Sequence, residues 1–112
     1  MPIRVKRRYI AVKIDSEATP SSKDFMKALW DSLIKLFGEY GASKTGATLI
    51  EYQDEEKTAI IRVFHKEVET VRAALATITK INDKPATAHV IKVSGTLRAL
   101  KNKLKATKKR ST

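Results

Sequence analysis

The sequence predicts an α+β, ferredoxin-like sandwich: a four-stranded antiparallel sheet with a βαββαβ core and a C-terminal helix. Three observations carry this expectation. Stretches with the two-residue period of strands alternate with stretches of helical period in that order. The second and third strands are separated by a polar turn short enough to make a hairpin. The chain, at 112 residues, has room for one core.

The first strand is read over Arg7 to Ile14, with Arg8, Ile10, Val12 and Ile14 on one side and Arg7, Tyr9, Ala11 and Lys13 on the other. A loop from Asp15 to Pro20 leads to Ser21, which is placed to cap a helix whose first turn holds Asp24. That helix carries Phe25, Leu29, Leu33, Leu36, Phe37 and Tyr40 and is expected to stop at Gly41. Thr45 to Gln53 is the second strand, Asp54 to Lys57 the turn, and Thr58 to Phe64 the third strand. A second helix spans Glu67 to Thr79 on an apolar stripe of Val68, Val71, Leu75 and Ile78, and Asn82-Asp83-Lys84-Pro85 breaks it. Ala86 to Val93 is the fourth strand. After Gly95, Thr96 caps a last helix from Leu97 to about Lys105. The order is RRM-like as well as ferredoxin-like. Residues 1–106 are expected to form a single domain and residues 107–112 a basic, disordered tail.

Charge is the strongest compositional signal. The net charge is +11, and its placement is uneven. Residues 1–14 and 84–112 contain no acid and together carry +14, while the segment between them carries −3. Like charges clustered in this way repel one another, so a polyanionic partner is the natural explanation. There is no cysteine, which removes thiolate metal sites, thiol nucleophiles and disulfides. No apolar run approaches the ~20 residues that span a bilayer, and no signal-peptide pattern follows the basic start. A soluble, cytoplasmic protein without membrane contact is expected.

Catalytic chemistry finds no support in the residues. His65 and His89 are the two histidines, and neither has a spacing that supplies an orienting partner. Asp54, Glu55 and Glu56 are consecutive on a turn and point apart, whereas magnesium requires near-octahedral oxygen geometry. Gly38, Gly41 and Gly46 lack phosphate-loop or dinucleotide spacing.

Binding is the better reading. Most aromatics lie on the first helix (Phe25, Trp30, Phe37 and Tyr40), which leaves Tyr9, Tyr52 and Phe64 for strands. The third strand also lacks the Gly-aromatic pattern on which RNA-recognition domains stack bases. Phosphate contact by lysine and arginine on a folded RNA is therefore favoured over stacking. A second surface is expected as well. With Ala59, Ile61 and Val63 toward the helices, the opposite sheet face holds Tyr9, Ile60 and Phe64, with Ile91 and Val93. Such a face needs a cover: either the last helix through Leu97, Leu100 and Leu104 with another chain over the rest, or the last helix alone.

Arg7-Arg8-Tyr9-Ile10, the Phe25-to-Gly41 helix passing into Gly46-Ala47, Ile60-Ile61-Arg62-Val63 and the run from Ile91 to Arg98 together resemble the protein component 2 family of archaeal ribonuclease P. This family is the counterpart of the eukaryotic subunit called Pop five. The resemblance spans about Val5 to Lys103 and rests on the order and spacing of these stretches. It implies a non-catalytic subunit of a ribonucleoprotein whose RNA removes the 5′ leader of tRNA with magnesium ions. This chain would then bind no cofactor itself. It also implies protein component 3 (the Rpp thirty type) as a partner and self-association within a heterotetramer.

The RNA-binding candidates are Arg7, Arg8, Lys13, Lys92, Arg98, Lys101, Lys103 and Lys105, which form one surface if the first and last strands are neighbours. The partner-surface candidates are Tyr9, Ile60, Phe64, Ile91 and Val93. Two other functions fit the composition: another ribonucleoprotein or ribosomal protein of this fold, and a protein-binding adaptor whose charge serves solubility.

Overall fold

A computed structural model describes residues 6–110, with backbone alone from residue 105 onward. The elements run β1 (Arg7–Ser16), α1 (Ser22–Lys44), β2 (Thr48–Gln53), β3 (Thr58–Phe64), a 3-10 turn (His65–Glu67), α2 (Val68–Ala76), β4 (Lys80–Ile81), β5 (Lys84–Ser94) and α3 (Leu97–Arg110). Every strand pairing is antiparallel, and the sheet order is β2-β3-β1-β5-β4. The two strand–helix–strand halves therefore interleave, with β1 between β3 and β5 as a split βαβ arrangement requires.

The sheet has five strands where four were expected. Asn82 and Asp83 end no helix; both take positive φ (54° and 63°) and form the two-residue turn of a small hairpin that pairs Lys80 with Pro85 and Ile81 with Lys84. The second helix is accordingly shorter than its apolar stripe suggested. It stops at Ala76, where Thr77 bonds back to the Ala74 carbonyl through both its N–H and its hydroxyl. Ile78 stays buried as the chain turns into β4.

α1 begins where the sequence placed it, with the Ser21 hydroxyl accepting from the Asp24 N–H at 3.1 Å. It does not stop at Gly41. The break comes earlier, at Gly38 (φ 76°, ψ 174°), and the helix resumes to Lys44. Buried Thr45 then closes it, its hydroxyl donating to the Ala42 carbonyl at 2.8 Å and accepting from the Ala47 N–H at 3.2 Å. Gly46 follows at φ 62°, where a Cβ would lie 2.7 Å from the Phe64 ring. Left-handed backbone and steric overlap act together here, so Gly46→Ala is expected to cost about 2 kcal/mol or more, read as a lower urea midpoint at unchanged slope.

The alternation read along β1 places its residues as expected. Ile10, Val12 and Ile14 join Ala59, Ile61 and Val63 of β3 on one sheet face, against Phe25, Leu29 and Leu33 of α1 and Val71, Ala74 and Leu75 of α2. Ala11 and Ile60 face the other way and are covered by Leu100, with Tyr9, Ile50, Leu97 and Leu104 around them. The fold thus has three layers: two helices, the sheet, and α3 lying across the far face. α3 is capped by Thr96, whose hydroxyl accepts from the Ala99 N–H at 3.2 Å. It runs to Arg110 rather than ending near Lys105, so residues 107–110 of the expected tail are helical, and residues 111–112 lie outside the described residues.

Of the five expected partner-surface residues, Ile60 keeps its face but is covered, and Val93 changes face. Ile60 is only 3% exposed because α3 covers it. Val93 lies opposite Ile10 and packs into the main core. The cause is a bulge: β1 Ala11 pairs with Lys92 but Val12 with Val90, which leaves Ile91 without a β1 partner and reverses the alternation there. Tyr9 and Phe64 are partly buried, and Ile91 alone of the five stands out to solvent, at 42% exposed. Leu36, Phe37 and Tyr40, expected on the apolar stripe of α1, also project outward with Trp30. Tyr40, just past the Gly38 kink, is 80% exposed, while Ala42 one half-turn on returns to the core. No helix among the described residues is long and apolar enough to cross a membrane.

Candidate nucleic-acid interface

Antiparallel pairing collects the basic side chains at one end of the sheet. At this end β1 begins (Lys6, Arg7, Arg8), β3 finishes (Arg62) and runs into His65-Lys66, and α3 starts from the end of β5 (Arg98). The backbone fixes the junction, with the His65 N–H donating to the Lys6 carbonyl at 2.8 Å. Arg7 is exposed, and its guanidinium carbon sits 5.9 Å from the centroid of the Phe64 ring, in cation–π range. The Arg8 Nε donates to His65 Nδ1 at 2.9 Å. Arg62 is cross-strand partner to Tyr9 on the α3 side of the sheet. Arg98 is exposed in the first turn of α3, which contains no acid. A cation there opposes the helix dipole by about 0.3–1 kcal/mol, a cost that an anion bound nearby offsets.

Acids near this end are already engaged. Glu67 takes a hydrogen bond from the Thr70 hydroxyl at 2.9 Å and an ion pair from Lys44 at 4.0 Å. The opposite end of the sheet has the opposite character: Asp15 and Glu17 follow β1, Asp54, Glu55 and Glu56 join β2 to β3, and Asp83 turns β4 into β5. Tyr52 senses this field. Its phenol is raised above the usual value of 10.0, first by burial and then by the charges of Asp54 and Asp24, and its hydroxyl donates to the Pro20 carbonyl.

The structure therefore divides the expected RNA-binding set. β1 and β5 are neighbours, as one positive surface required; Arg7, Arg8 and Arg98 lie at the basic end, and the exposed Lys92 stands at mid-strand opposite Ala11. Lys103 is exposed on α3. Lys13 is at the acidic end, its ammonium donating to the Glu56 carbonyl. Lys101 spans from α3 to the sheet edge, 3.2 Å from Glu51. The Lys105 side chain lies outside the described residues. Between α3 and the acidic end, an open groove of about 600 Å³ is lined by Lys13, Glu51, Thr58, Ile91 and Lys92, so that cations and a carboxylate share its wall.

Arg62, His65 and Lys66 were not among the candidates, because the segment that holds them is acidic overall. The signal was the split βαβ order, since β1 pairing antiparallel to β3 places the end of one beside the start of the other.

Comparison with known proteins agrees with this architecture. A chain of the cryo-EM structure of yeast ribonuclease MRP superposes with a TM-score of 0.70 over 99% of this chain and 97% of its own length, at 17% identity, and so shares the fold. Ribonuclease P protein component 2 of Thermococcus gammatolerans is 35% identical over 93% of this chain and 87% of its own length. The proteins of the same name from Methanosarcina barkeri (36% identical, 86% and 70% covered) and Pyrococcus furiosus (35%, 90% and 84%) are similar to it to the same degree. With the family model also matching residues 8–105, essentially the whole described domain, the chain belongs to the Rpp14/Pop5 family.

Proposed function

We propose that this chain is a protein subunit of the ribonuclease P ribonucleoprotein, binding the RNA that removes the 5′ leader of tRNA and contributing no catalytic group. The observation that carries the reading is the basic end, where Arg7, Arg8, Arg62, Lys66 and Arg98 converge from separate parts of the sequence. The names of the related proteins supply the particle. Phosphates of a folded RNA are the ligands for this end, with affinity set by counterion release and therefore by salt. Lys92 and Lys103 extend the surface in this proposal, and Lys13 and Lys101 turn to contacts within the chain instead.

Magnesium stays with the RNA in this reading. Among the described residues no three His, Asp or Glu side chains group together, which is in keeping with this reading. The protein partner is component 3, of the Rpp thirty type, within a cytoplasmic particle. Trp30, Leu36, Phe37 and Tyr40, all exposed along α1, support a protein contact, since a partner would take such large apolar side chains out of water. Self-association in a heterotetramer would use surface of the same kind.

Reconstituted pre-tRNA cleavage, with and without this chain and with component 3 present, tests the reading. The chain is expected to raise cleavage at limiting magnesium. No stimulation by a folded chain overturns the assignment and favours another ribonucleoprotein.

A further inference from the structure

The Arg8–His65 contact is an unusual way to hold a cation. An arginine fixed for structural reasons alone is commonly matched to a carboxylate, whose two oxygens fit its fork of donors. Here no carboxylate lies within 4.0 Å of Arg8 among the described residues. Its Nε is instead bonded to an imidazole nitrogen at 2.9 Å. For Nδ1 to accept that bond, His65 must be neutral with its proton on Nε2. The contact therefore orients the guanidinium and leaves its positive charge uncompensated.

A second constraint acts on the other side of the same group. Gly95, in the turn between β5 and α3, leaves open the space where a Cβ would stand 2.9 Å from Arg8 Nη1. The imidazole is itself tethered, because the His65 backbone N–H donates to the Lys6 carbonyl at 2.8 Å. One neighbour thus sets the Nε edge and another leaves room for an Nη, with both Nη groups un-ion-paired at the basic end.

We propose that His65 is a positioning residue for Arg8, holding its guanidinium so that the Nη groups receive an RNA phosphate, with Gly95 required for that placement. The inference rests on the RNA-binding reading above and assigns His65 no contact with RNA. Ordering a long side chain before binding removes part of the entropy that phosphate contact would otherwise cost. Asn is the informative replacement, since its Oδ1 reproduces the acceptor at the Nδ1 position without offering the Nε2–H.

The experiment is a double-mutant cycle on the full chain, binding a ribonuclease P RNA across a salt series. Arg8→Ala is expected to weaken binding about tenfold and to lower the salt slope by about one phosphate. His65→Ala is expected to weaken it about threefold to fivefold, and to have no further effect once Arg8 is alanine. His65→Asn should restore affinity, and Gly95→Ala should reproduce the His65→Ala loss, again only while Arg8 is present. A merely structural His65 would change the urea midpoint and leave the salt slope of the folded protein intact. If Arg8→Ala weakens binding but His65→Ala does not, or if the two losses add, the positioning role is overturned and the RNA interface stands. If Arg8→Ala and Arg7→Ala both leave affinity and slope unchanged, the interface itself fails. Should His65→Ala not fold, Gly95→Ala with and without Arg8 decides the same question.

Discussion

Leu100→Ala is expected to destabilise the protein by about 3 kcal/mol, the mid-range for a buried leucine truncated to alanine. Leu100 is 0% exposed and is the side chain by which α3 closes on Ala11 and Ile60. Leu97 and Leu104 flank it only partly buried, and the Lys101–Glu51 pair at 3.2 Å is half-exposed, worth about 0.2–1 kcal/mol. α3 therefore depends on one residue more than its length suggests. Loosening it uncovers Tyr9, Ala11 and Ile60 together, an apolar face that favours self-association. Urea titration gives the stability and sedimentation the association state. A loss under about 1 kcal/mol would mean that α3 does not cover the sheet.

Replacing Arg7 and Arg8 together by alanine is expected to weaken RNA binding about thirtyfold or more near physiological salt and to lower the log–log salt slope by about two. Both residues start β1 at the basic end, and neither is packed in the core, so the fold should survive their loss. Lys13→Ala, one charge removed from the same strand, is the control. Its ammonium already serves the Glu56 carbonyl among carboxylates, and its loss should change RNA affinity by no more than about twofold. Equal effects at both ends of β1 would show that net charge, rather than its placement, governs binding.

The sequence was legible wherever one physical cause acted alone. Alternation along β1 sorted Ile10, Val12 and Ile14 from Tyr9, Ala11 and Lys13, because a strand buried on one face permits only one register. Ser21 and Thr96 marked helix starts because a hydroxyl at that position satisfies an otherwise unpaired N–H. The reading failed where tertiary structure decided. Val93 was assigned to the outer face by simple alternation, and the bulge at Ile91 reversed it. Gly41 looked like the helix stop, yet Gly38 took the positive φ. Asn82-Asp83 was recognised as a breaker but not as a turn, since the strand it makes is only Lys80–Ile81. Of the candidate site, Arg7, Arg8 and Arg98 could be found from charge runs. Arg62, His65 and Lys66 could be found only from strand pairing, and the pairing of Lys13 and Lys101 only from coordinates.

The separation of charge between the two sheet ends has a kinetic consequence. A molecule positive at one end of its strands and negative at the other experiences a torque near a polyanion before any contact forms. It arrives with Arg7, Arg8 and Arg98 leading and with Asp54, Glu55 and Glu56 trailing. Added salt should then slow encounter more than it speeds release, because screening removes the steering while the docked phosphates remain close to their partners. Reversing the trailing carboxylates to lysine would raise the net charge yet erode this orientation, and so would exchange productive collisions for indiscriminate ones.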